Sequence, residues 1–83
     1  MISNETKIRK FVQAVVQNYV PNDEKEILLS IEDVQSVCLD SNYLPHYHSG
    51  IYLFVALLLN KKILERVQNG KYIFSTKKTA VFL

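Results

Sequence analysis

The sequence predicts a mainly α-helical domain that ends in a β-hairpin. Three observations predict it. A regular apolar stripe runs through the N-terminal twenty residues, a capping signature opens a second helical pattern, and a long apolar run leads into an Asn-Gly turn between strand-like residues. Eighty-three residues make one domain, 1–83, with one core, and an apolar fraction of 48% is enough to fill it without disulfide staples.

The first helix follows from Ile8, Phe11, Val12, Val15, Val16 and Tyr19, which recur at the spacing of one helical face while Lys7, Lys10, Gln13 and Gln17 fall opposite. Ser3 or Asn4 is placed to cap its start, and Pro21 is placed to stop it ahead of a polar loop over 21–26. Ile27-Leu28-Leu29 reads as a brief strand or as the approach to the next helix. Ser30 with Asp33 has capping-box spacing, and Ile31, Val34, Val37 and Cys38 give a second helix to about Leu39. Residues 40–50 are rich in turn formers and long for a connection in so small a domain. A third helical pattern runs from about Ser49 to Asn60.

Asn69-Gly70 is the strongest hairpin signal in the chain, because both central positions of a two-residue type I′ turn need positive φ. That turn pairs Val67 with Tyr72, Arg66 with Ile73 and Glu65 with Phe74, and makes Tyr72 and Phe74 the core contacts of the second strand. Thr79–Leu83 is β-prone and apolar, so it is expected to pack on the domain or on a partner.

Charge is uneven. Residues 1–40 hold four basic and seven acidic groups, a balance of −3. Residues 41–83 hold six basic groups and the single acid Glu65, a balance of +5. That asymmetry suggests an electropositive face for a negative partner, against the plainer reading of solvated surface lysines. A single cysteine and no visible secretory pattern lead us to expect a reducing, cytoplasmic setting, and a longest apolar run of nine residues leads us to expect no membrane partner.

Catalysis and cofactors find little support. Only two glycines are present, so there is no glycine-rich phosphate loop, and Ser49, His46, His48 and Asp40 do not assemble a nucleophile, base and orienting group. We therefore expect no enzyme activity and no cofactor. Cys38, His46 and His48 lack the tight ligand pairs of a structural zinc site, so no metal is expected. Tyr43, Tyr47 and Tyr52 are candidates for stacking on single-strand bases, but aromatics at such spacing more often serve core or interface.

The order helix, strand, helix, loop, helix, hairpin resembles the winged helix-turn-helix superfamily, three helices plus a wing, most clearly over Ile31–Ser75. Ile51, Val55, Leu58, Ile63 and Leu64 match the apolar positions of its third helix and first wing strand, and Arg66–Phe74 matches the wing. The resemblance implies a small DNA-binding protein that regulates transcription or another DNA transaction. It implies that His46, Tyr47, His48, Ser49 and Tyr52 face the major groove, and that Arg66, Asn69, Lys71, Lys77 and Lys78 meet phosphates of double-stranded DNA.

Two departures support an alternative. The loop before the third helix is about half a dozen residues longer than the family's tight turn. The helix itself offers Tyr52, Leu53, Ala56 and Leu57 where base edges want Arg, Lys, Asn or Gln. An exposed apolar strip there points to a protein-interaction module, an inhibitor or adaptor, that docks through Leu53 and Leu57 or through the tail residues Val81, Phe82 and Leu83. Either reading allows a homodimer built on the first helix or on the tail.

Overall fold

The computed structural model describes residues 3–20, 25–42 and 44–83. Pro21, most of the polar loop that follows it, and Tyr43 lie outside the described residues. The elements in order are helix α1 (Asn4–Tyr19), strand β1 (Glu26–Leu29), helix α2 (Ile31–Leu39), helix α3 (His48–Asn60), strands β2 (Leu64–Arg66) and β3 (Tyr72–Ser75), and a short helix α4 (Thr76–Thr79) that runs into one 3₁₀ turn, Ala80–Phe82. The chain is thus mainly helical with a small antiparallel sheet of order β1-β3-β2.

Helix α1 begins at the Ser3 hydroxyl, which accepts a hydrogen bond from the Thr6 amide at 3.2 Å. It ends at Val20, whose backbone is extended, as a following proline favours. Its predicted stripe is the centre of the core: Ile8, Phe11, Val12 and Val15 are all buried. Phe11 joins three elements, because its ring meets Phe54 of α3 edge-on at 5.7 Å and Phe74 of β3 at 6.4 Å. The Ser30 capping box is complete. Its hydroxyl accepts from the Asp33 amide at 3.1 Å, and its own amide donates to the Asp33 carboxylate at 2.9 Å.

Helix α3 is terminated by a Schellman motif. The Ile63 amide reaches back to the Leu58 carbonyl at 2.9 Å and the Lys62 amide to the Leu59 carbonyl at 3.2 Å. Ile63 and Leu58 are both buried, which supplies the hydrophobic contact that accompanies such an ending. The left-handed residue of the motif is normally glycine. Here it is Lys62, at φ 64°, a conformation that costs a side-chain-bearing residue about 1 kcal/mol.

The hairpin corrects the expected pairing. Leu64 opposes Phe74, Glu65 opposes Ile73 and Arg66 opposes Tyr72, one residue out of step with the two-residue turn. The Val67 amide bonds the Lys71 carbonyl at 3.0 Å, so the loop has three residues, Gln68, Asn69 and Gly70. Asn69 and Gly70 do take positive φ, 71° and 70°. The cause lies in the core. A one-residue slip reverses every side chain, and the expected register would have set the Glu65 carboxylate beside the fully buried Phe74. The observed one sets buried Leu64 there and leaves Glu65 in solvent. Tyr72 and Phe74 are buried as expected.

The β-prone tail forms no strand, and it packs on the domain through Phe82, which is half-buried against the core. Ser75 then caps a helical turn, its hydroxyl accepting from the Lys78 amide at 3.3 Å and its carbonyl from the buried Thr79 hydroxyl at 2.7 Å. The Thr76 amide and hydroxyl both donate to the Lys25 carbonyl, which ties the tail to the start of β1.

Candidate nucleic-acid interface

The start of α3 is an open surface. His46, Tyr47, His48 and Ser49 are exposed, Tyr47 at 83%, and Tyr52 follows at 50%. The loop that carries them is held from below by Leu44, which is buried. It packs on α3 at Gly50, where an added Cβ would lie 3.0 Å from the Pro45 Cβ, a contact tight enough that glycine eases the close approach. His46 Nε2 lies 2.7 Å from the Ser41 carbonyl oxygen, which only accepts, so this nitrogen carries the proton. The His48 and Tyr52 rings meet edge-on at 4.7 Å, one helical turn apart. The Tyr47 side chain makes no capping bond to the first turn of α3 and no acid sits in that turn, so no negative charge there offsets the positive end of the helix dipole.

The hairpin supplies the cations. Arg66, Asn69 and Lys71 are exposed, as is Lys77 of α4. The tip lies beyond the Leu29–Tyr72 end of the sheet, where β1 turns into α2. Lys78 differs from the other cations in the set, because its Nζ bonds the Glu65 carboxylate at 2.8 Å. That hydrogen bond, and then the charge behind it, holds the Glu65 carboxyl below its ordinary value and raises the Lys78 ammonium above its own.

Sequence reasoning missed Lys62. With Arg66 and Lys78 it rims an open cleft floored by Leu59 and Leu64, with Glu65 among them. The Lys61-Lys62 pair was visible in the sequence, but nothing there marked the second lysine as the left-handed end of a helix.

The predicted docking residues divide. Leu53 is 74% exposed and Leu57 is half-buried, both beside the first turns of α1 at Asn4 and Lys7. Of the expected apolar strip Tyr52, Leu53 and Ala56 are exposed and Leu57 is half-buried, while Ile51, Phe54, Val55 and Leu58 are covered by the chain itself. In the tail, Val81 and Leu83 are exposed, while Phe82 is half-buried against the domain's own core beside Ile8 and Lys61. Among the described residues no three His, Cys, Asp or Glu side chains gather to hold a metal. Among the same residues no helix is long and apolar enough to cross a membrane. No protein-family model, curated protein or solved structure matches the chain.

Proposed function

We propose that this chain is a winged-helix-like module that binds double-stranded DNA and regulates transcription or another DNA transaction. The observation that carries the reading is the element order α1-β1-α2-α3-β2-β3 with sheet order β1-β3-β2, the last two strands forming a hairpin with an exposed tip and Glu65 as its only acid. In this reading the start of α3 approaches the duplex. Its leading N–H groups and dipole favour phosphate, and His46, His48, Ser49 and Tyr52 are open beside them. Lys71, Asn69 and Arg66 on the wing and Lys77 on α4 add contacts to the backbone.

Affinity then comes mostly from phosphates and falls steeply with salt. Fluorescence anisotropy on a labelled duplex, titrated from low to moderate salt, tests it. Lys71→Glu is expected to weaken binding alike on unrelated sequences and to lessen the salt slope by about 1 or more. A native chain that fails to bind any duplex at low salt overturns the reading.

A second reading has its own observation. The exposed face of α3 carries Leu53 at 74% and no cation, which suits a protein partner better than base edges. It describes an inhibitor or adaptor that docks on Leu53, with Leu57 at the margin and Val81 and Leu83 as the free part of the tail.

A further inference from the structure

We infer that the backbone of a bound nucleic-acid strand runs along the free edge of β2, gripped by Lys62, Arg66 and Lys78, so that the phosphate track extends from the wing tip to the C-terminal end of α3. The inference rests on the DNA-binding reading above and says where the duplex is held.

Three independent observations converge on this edge. Lys62, Arg66 and Lys78 rim one cleft, and the single carboxylate in it, Glu65, leaves an excess of two positive charges. Lys71 lies just beyond, at the tip. The second observation is the backbone of Lys62. Glycine relieves a left-handed helix ending, yet a lysine stands here at φ 64°, and side chains kept in a disfavoured conformation cluster at sites that use them. A glycine would leave the fold intact and remove a cation from the cleft.

The third is the edge itself. β2 is paired on one side only, with β3. The Val67–Lys71 bond fixes the alternation, so Glu65 turns its amide toward β3, while Leu64 and Arg66 turn theirs to the open side. Backbone amides in that position are phosphate donors that need no side chain. From Lys62 to Arg66 the chain spans at most about 13 Å, the axial rise of about four nucleotides of one strand. A phosphate backbone is a closer match than an acidic peptide, because the edge offers three cations and unpaired backbone amides while only two leucines line the cleft.

Anisotropy on a duplex of about 20 base pairs, from low to moderate salt, decides the matter with two variants. Lys62→Gly is expected to melt no lower than the native chain, to bind several-fold more weakly, and to give a salt slope shallower by about 0.9. Glu65→Gln removes the competing carboxylate and releases Lys78, and is expected to bind more tightly with a steeper slope. If the native chain binds and both variants match it in affinity and slope, this inference is overturned while the DNA-binding reading stands. If the native chain binds no duplex, both fall. If it binds polyglutamate and no duplex, both fall in favour of an acidic protein partner.

Discussion

Cys38 sits near the end of α2 with no exposed surface, and burial pushes its thiol up to about 11 from an ordinary value of 9.0. The reactive form of a cysteine is the thiolate, so at neutral pH this one stays protonated as a small core residue. The sign of its effect on stability follows. The folded chain holds the proton more tightly than the unfolded chain, so the contribution is fully present below about pH 9 and is lost as pH rises toward 11. Urea denaturation of the native chain against Cys38→Ala should show their stability difference shrinking over that window, by at most about 1.4 kcal/mol per pH unit. Parallel pH profiles would show that burial does not hold the thiol neutral. A buried residue at this position was legible from the spacing Ile31, Val34, Val37, Cys38. Lys62 was not, because a positive φ at a lysine reflects a helix ending dictated by the burial of Leu58 and Ile63, which no local propensity encodes.

At the scale of elements, the sequence was most readable where the signal is short-ranged. The Ser30–Asp33 capping box joins residues three apart, and both of its bonds form as their spacing indicates. Ser30→Ala removes the hydroxyl that accepts the Asp33 amide. It should lower stability by about 1 kcal/mol, seen as a lower urea midpoint with an unchanged denaturant slope. A change in slope instead would mean that the cap shapes the compactness of one state. The hairpin was half readable. Asn69 and Gly70 take the positive φ values their identity favours, but loop length and register are set by the match of Leu64 to Phe74 across the sheet and by the packing of Phe74 on Phe11. The tail was legible in its packing, since Phe82 is half-buried against the core, but not in its conformation. Val81, Phe82 and Leu83 prefer strand, but the chain turns helical at Ser75, where the Thr76 amide and hydroxyl bond the carbonyl of Lys25, a residue distant in sequence. The same distance hides the pairing of β1 with β3, which brings Ile27 opposite Phe74.

For the whole molecule, the question is whether one chain covers its own apolar surface. The α1 stripe was a candidate dimer face, and it is spent inside: Ile8, Phe11, Val12 and Val15 are buried within a single chain. Among the described residues the large aliphatic side chains left in solvent come from separate elements, Leu28 from β1, Leu39 from α2, Leu53 from α3, and Val81 and Leu83 from the tail, with Tyr47 and Tyr52 beside Leu53. Exposed leucines of that kind are ordinary and do not by themselves demand a partner. Leu53 is the one whose position matters, because it lies on the face of α3 that the two functional readings claim differently. Leu53→Glu is expected to fold with stability within about 0.5 kcal/mol of the native chain, since the side chain makes little buried contact. In light scattering both chains should have the mass of one copy, 9.6 kDa. On a duplex, the new carboxylate near the approaching phosphates should weaken binding through charge repulsion, with a loss that shrinks as salt is raised. A native chain that runs as a dimer and is split by Leu53→Glu, or a duplex affinity untouched by it at low salt, would assign the outer face of α3 to a protein contact and leave DNA to the wing and the β2 edge alone.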